Sequence, residues 1–132
     1  MLEIQITTLG KREHGSTPEY GINAIKNMCK IIDEIDKLQP SYNEYTGYGS
    51  IVPGVIMGGE RSSVVPDRCE LKVSRFTVPR ENETMFYSQV FRIIERLKLK
   101  EPNFDARAEL LYDSNPSIVS ENAEVVQKMS YA

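Results

Sequence analysis

Apolar and polar residues alternate from the start of the chain, with Leu2, Ile4 and Ile6 separated by Glu3, Gln5 and Thr7. A period of two places the aliphatic side chains on one face of an extended strand and the polar set on the other. The period then changes. Ile22, Ile25, Met28, Cys29, Ile32, Ile35 and Leu38 recur at three- and four-residue intervals, the spacing of one helix face. Thr17-Pro18-Glu19 supplies a start signal: a capping hydroxyl, a proline for the first helical position and an acid in the first turn. Pro40 supplies a stop, so the spacing predicts a helix over 18–38. Strand character returns over 50–58, with Ile51, Val52, Val55 and Ile56, and over 67–76, where Cys69, Leu71 and Val73 alternate with Glu70, Lys72 and Ser74. Pro53 lies inside the first of these and, unable to donate to a ladder, predicts an edge strand. Asn82 is placed to cap a second helix bearing Phe86, Val90, Ile93, Ile94 and Leu97. Pro102-Asn103 is a turn, and Ala106, Ala108 and Leu110 alternate with Arg107 and Glu109 in a last strand.

The order is strand, helix, strand, strand, helix, strand. It predicts an α+β, ferredoxin-like βαββαβ fold, a four-stranded antiparallel sheet with two helices on one face. The strand holding Pro53 is an edge in that topology. The domain is expected to span 1–113. Residues 114–132 are left over, with Asn115-Pro116 as a turn and Ser120 placed to cap a short helix of Val125, Val126 and Met129 that has no partner in the fold. The first strand begins directly after Met1, a start that a natural domain can have and a segment cut from a longer chain has more often.

Bulk composition narrows the class. A chain of 132 residues, 40% hydrophobic and 27% charged, suits one globular domain with a modest core. The net charge of −3, with acids and bases interspersed, speaks against nucleic acid or an anionic membrane as a partner, since both select a clustered basic face. No apolar run approaches the roughly 20 residues of a membrane span. The N-terminal stretch MLEIQITTLG has neither the basic region nor the apolar stretch of a signal peptide, so a cytoplasmic, reducing location is expected.

Candidate chemistry is sparse. His14 is the single histidine. It sits in a loop with Gly10 and Gly15 that leads into a helix start, where backbone N–H groups favour anions. A zinc site needs three or four soft or carboxylate ligands. Cys29 and Cys69 both fall on the predicted apolar stripes, which makes them buried thiols rather than ligands or nucleophiles. Gly58-Gly59 with Ser62 and Ser63 lacks the lysine and following helix of a phosphate loop, and on spacing alone is a turn. Arg75 ends the third strand with the parity of Cys69, Leu71 and Val73. It either lies exposed at the sheet's end or is turned by a bulge so that its planar fork meets a carboxylate.

Two stretches carry a family resemblance. GKREHGSTPEYGINAI, residues 10–25, resembles the lid-domain motif of the M20 metallopeptidases, the group of acetylornithine deacetylase, succinyl-diaminopimelate desuccinylase and carboxypeptidase G2. GGERSSVVPDRCELKVSRFTVPRE, residues 58–81, is similar to the second motif of that domain, a Gly-Gly turn followed by a strand ending in arginine and proline. The resemblance covers about residues 2–112. It implies that His14 reaches into the active site of the partner subunit and stabilises the tetrahedral oxyanion. It implies that Arg75 contacts the substrate carboxylate, and that Gly58, Gly59 and position 63 border the substrate. The family usually has asparagine at that last position; this chain has Ser63, a hydroxyl of shorter reach. The resemblance places two zinc ions, with a zinc-bound water activated by glutamate to attack an amide carbonyl, in a separate catalytic domain. None of that domain's ligand motifs is matched here.

The leading expectation is therefore a dimerisation or lid domain of a zinc-dependent peptidase or N-acyl amino acid deacylase, inactive alone and without cofactor of its own. It would pair as a homodimer through the Pro53-bearing edge strand and the first helix, and residues 114–132 would return the chain to the catalytic domain. The alternative is a free-standing ferredoxin-like module that binds a ligand or regulates a partner; zinc motifs flanking this segment would separate the two.

Overall fold

The structure, a computed structural model, describes residues 1–38, 42–44, 47–76 and 83–113. Strand β1 (Leu2–Leu9) leads through the two-residue β2 (Glu13–His14) and a single 3-10 turn (Pro18–Tyr20) to helix α1 (Ala24–Ile35). Short strands β3 (Tyr42–Asn43) and β4 (Gly47–Tyr48) pair with each other. Strand β5 (Ser50–Gly58), the short β6 (Val64–Val65) and β7 (Arg68–Phe76) follow, then helix α2 (Glu83–Lys100) and strand β8 (Asp105–Asp113).

Four strands form one antiparallel sheet in the order β5-β7-β1-β8, the ferredoxin-like arrangement expected from the periodicity. Leu2, Ile4 and Ile6 of β1 and Cys69, Leu71 and Val73 of β7 all face the side covered by both helices. Ala24, Met28, Ile31 and Ile35 come down from α1, and Phe86, Val90, Ile93, Ile94 and Leu97 from α2. Each large aliphatic or aromatic side chain buried in this way contributes about 1.5–3 kcal/mol. The ion pair Arg96–Glu34 (3.1 Å) joins the solvent sides of the two helices, and Lys30–Glu101 (3.5 Å) ties α1 to the residue that follows α2.

Strand β5 is an edge, and Pro53 sits in it where a bulge between Pro53 and Val55 absorbs Gly54. The proline therefore removes no hydrogen bond from a strand paired on both sides. This edge is apolar and open to solvent: Val55 is 48% exposed, Ile56 50% and Met57 59%.

Two expectations fail locally. The first helix does not begin at Pro18. Thr17 makes no side-chain cap, Gly21 is extended, and the α-helix starts only at Ala24. Asn23 is the effective cap, its Oδ1 accepting the N–H of Ile25 (2.9 Å) and of Lys26 (3.1 Å). The end moves too, from Leu38 to Ile35. Cys29 and Ile25 are not core residues but exposed. Helix α1 presses a narrow 24–28–31–35 seam onto the sheet, so the positions beside it turn toward solvent. The two-residue strands of the β2–β6 and β3–β4 pairings, unpredicted, are too short to show a period in the sequence. The expected cap Asn82 and the whole of 114–132 lie outside the described residues.

Candidate functional site

The segment after β1 is a closed excursion. Lys11 and Ile22 exchange two backbone hydrogen bonds, at 2.9 and 3.0 Å, so residues 12–21 leave and re-enter at neighbouring points. Inside it, β2 pairs antiparallel with β6, Glu13 opposite Val65 and His14 opposite Val64. The N–H of Gly15 donates to the carbonyl of Ser63 at 2.7 Å, and the N–H of Thr17 donates back to the carbonyl of His14 at 3.0 Å. A Cβ on Gly15 would stand 2.5 Å from the Ser63 oxygen, which is why a glycine follows the histidine. Glu13 closes the turn from the side, its carboxylate accepting the His14 N–H (3.0 Å) and the Thr17 hydroxyl (3.3 Å).

His14 is exposed, but its ring is held. The backbone N–H of Ser16 donates to Nδ1 at 3.0 Å, and the Ser16 hydroxyl lies 2.7 Å from the same nitrogen. Nε2 is the nitrogen left to meet anything approaching from outside.

The partner loop runs from β5 to β6. Gly59 takes a φ of +83°, in the left-handed region that a side chain disfavours. The N–H of Val64 donates to the Arg61 carbonyl to close the turn. An ion pair between Arg12 and Glu60 ties the rims of the two loops together. Between them lies an open groove of about 520 Å³, bordered by Gly15, Pro18, Ile25, Gly59, Arg61 and Val64. Gly58 and Gly59 line this groove, and Ser63 reaches the histidine loop through its main chain.

Arg75 is elsewhere. It is neither exposed nor turned out by a bulge: it is 4% exposed on the helix-covered face, with its guanidinium carbon 5.7 Å from the centre of the Phe86 ring. It stands opposite Leu2 and Ile51, whereas Cys69 stands opposite Thr8 and Gly58 beside the groove. Six residues of strand, at roughly 3.3 Å each, separate the two ends by about 20 Å. The structure thus gathers His14, Gly58, Gly59 and Ser63 at one end of the sheet and leaves Arg75 at the other.

Burial pushes the Cys69 thiol up, with the nearby Cys29 and Glu70 adding to the shift; a thiol held protonated is a poor nucleophile. Among the described residues no group of three His, Cys, Asp or Glu could hold a metal ion, and no helix is long and apolar enough to cross a membrane. Ser16 and Glu13, which hold the histidine, have no signal in periodicity. Their mark in the sequence is that both lie within the 10–25 stretch that carries the family resemblance. The Arg12–Glu60 pair spans 48 positions and has none.

The family model described as the M20-type peptidase dimerisation domain matches residues 1–102. Among curated proteins, Escherichia coli (strain K12) YgeY is 34% identical over 77 residues, 56% of this chain and 19% of that protein. The N-formyl-4-amino-5-aminomethyl-2-methylpyrimidine deformylase of Bacillus subtilis (strain 168) is 26% identical over 91 residues, 64% of this chain and 21% of that one. Among solved structures, the aminobenzoyl-glutamate utilization protein of Klebsiella pneumoniae superposes with a TM-score of 0.68 at 16% identity, over 93% of this chain and 32% of that chain. A tripeptidase of Staphylococcus aureus does so with a TM-score of 0.60 at 18% identity, over 99% and 35%. The chain spans about a fifth of the curated relatives and about a third of the solved ones.

Proposed function

This chain belongs to the family of M20 peptidase dimerisation domains, and from that premise we propose that it is the lid of a zinc-dependent amidohydrolase, supplying one hydrogen-bond donor to a reaction carried out on another subunit. The observation that carries the reading is the placement of His14. It stands on the loop cluster at the Leu9–Gly58 end of the sheet, exposed, with Nδ1 engaged by Ser16. The opposite end holds Leu2 paired with Asp113, where a host domain would join. A residue about 20 Å beyond that junction, by strand length, is poorly placed for its own host and well placed for a neighbour's.

The chemistry follows from the donor. When an amide carbonyl is attacked, negative charge gathers on its oxygen, and a pre-positioned N–H aimed at it lowers the barrier. Gly58, Gly59 and Ser63 would border the substrate, with Ser63 donating at short range. The contact of Arg75 with a substrate carboxylate that the resemblance implies is not part of this reading, since the side chain is buried against Phe86 and the sheet keeps it away from His14. Among the described residues no His, Cys and carboxylate cluster fits a zinc centre, and the metal would be held by the catalytic half. Two copies would meet through β5 and α1, where an unpaired apolar edge invites its twin.

The test is complementation in the full-length enzyme. His14→Ala is expected to lower kcat by about a hundred- to a thousandfold while bound zinc stays constant. Mixing it with a variant dead in its catalytic half should restore activity, because each heterodimer pairs one intact site with one intact lid. Unchanged turnover in His14→Ala would overturn the donor role; loss without rescue, despite subunit exchange, would overturn action between subunits.

A further inference from the structure

Taking His14 as the donor proposed above, we infer that Ser16 is its positioning residue: it fixes the neutral imidazole as the Nε2–H tautomer and thereby makes His14 a donor rather than a base or a metal ligand. The inference starts from an asymmetry between the two contacts on Nδ1. A ring nitrogen offers either a lone pair or a proton. The Ser16 backbone N–H, 3.0 Å away, can only donate, so a proton on Nδ1 would set two N–H groups against each other. The hydroxyl at 2.7 Å can rotate to donate as well. Both contacts therefore favour a bare Nδ1, and the neutral ring must carry its hydrogen on Nε2.

The main-chain contact cannot drift, because the turn is closed on both sides. Thr17 N–H holds the His14 carbonyl, and Gly15 N–H holds the Ser63 carbonyl across the β2–β6 pairing. Glu13 holds the His14 N–H, so residue 14 is restrained along its backbone too. With Nδ1 occupied and Nε2 protonated, the ring presents one outward group, and it is a donor. General-base or metal-binding service through Nε2 would require the proton to move to Nδ1, against the Ser16 amide.

Because His14 is the single histidine, imidazole nitrogen spectra of the ¹⁵N-labelled protein report on it alone. They would be recorded near pH 8, above the ordinary imidazole range of about 6.5, with the urea-unfolded chain as the reference for an unrestrained ring. The folded protein is expected to show the proton predominantly on Nε2, with a ratio well above that of the unfolded chain. Ser16→Ala, which keeps the amide but loses the hydroxyl, is expected to shift the ratio toward Nδ1–H by about fivefold, the equivalent of one ordinary hydrogen bond. Ser16→Thr should hold the wild-type ratio. In the full-length enzyme Ser16→Ala should lower kcat with KM unchanged, and Ser16→Thr should restore it. A folded-state ratio equal to the unfolded one, a predominant Nδ1–H form, or an unchanged ratio in Ser16→Ala would each overturn the inference. A fixed tautomer together with unchanged turnover in His14→Ala would instead defeat the proposed function and leave this inference standing.

Discussion

The N–H of Gly15 donates to the carbonyl oxygen of Ser63 at 2.7 Å, and that contact joins the histidine loop to the Gly-Gly loop. Gly15→Ala would force its new Cβ to within 2.5 Å of the Ser63 oxygen, so the two loops must part. It is expected to cost about 1 kcal/mol of stability, roughly one ordinary hydrogen bond, and to speed amide exchange at Gly15 and Val64. Gly54→Ala, with nothing within 4 Å of the new atom, serves as the control and should change neither. Urea unfolding and hydrogen exchange measure both; equal stability of the two variants would contradict the geometry.

Helix capping gives a second contrast. Asn23→Ala removes the acceptor of two N–H groups at the start of α1 and is expected to cost about 1 kcal/mol. Thr17→Ala removes a hydroxyl that caps nothing, and should cost only a few tenths. Thermal melts followed by circular dichroism would rank the two, and a larger loss at Thr17 would return the helix start to Pro18.

The third expectation concerns the open edge. Val55→Lys or Ile56→Lys places a charge on a strand whose apolar side chains are about half exposed and is the ordinary means of blocking edge pairing. In the enzyme proposed above, self-association followed by sedimentation should weaken at least tenfold, roughly 1.4 kcal/mol, while the melting temperature at low concentration is unchanged. Undiminished association would move the interface away from β5.

Glu34 supplies a pH dependence. A hydrogen bond from Lys37, and then the charges of Lys37, Arg96 and Lys100, hold its carboxyl below the usual carboxylate value of 4.5, outweighing the opposing effect of burial. A lowered folded-state value means that the stabilisation is complete above the unfolded value and disappears as pH falls through the folded one. Glu34→Gln should therefore cost less than about 1 kcal/mol at pH 7 in low salt, and the difference from wild type should close below pH 4.5. The difference should also shrink in 1 M salt, where the charges are screened. A gap that widened in acid would reverse the assigned direction.

The two hydrophobic periods are enough to read the sheet, its helices and its edge. Alternation at Leu2–Ile6 and Cys69–Val73 names the covered face, and Pro53 names the edge. Periodicity overreads where a helix face is wide. Ile25 and Cys29 belong to the same stripe as Met28, yet the fully buried seam runs through Ala24, Met28, Ile31 and Ile35 and leaves both exposed. His14 stands out because it is a lone histidine between glycines. What holds it does not, since the Ser16 contact depends on a turn closed against Ser63, nearly fifty positions away. Arg75 shows the converse: its parity is visible in the sequence, but its distance from His14 follows only from strand register.

The pairing of Leu2 with Asp113 puts both ends of the sheet's chain side by side, so a host can carry the domain on two adjacent strands. In the enzyme proposed here those strands act as a fulcrum and the sheet as a lever arm. From Leu2 to Leu9 the arm is about 23 Å at roughly 3.3 Å per residue, so a tilt of about 5° at the fulcrum sweeps the His14 end through about 2 Å. A displacement of about 1 Å is enough to cost a reaction on the order of a hundredfold. The rate on one subunit would thus be set by the stiffness of the strand pair by which the neighbouring subunit holds its lid.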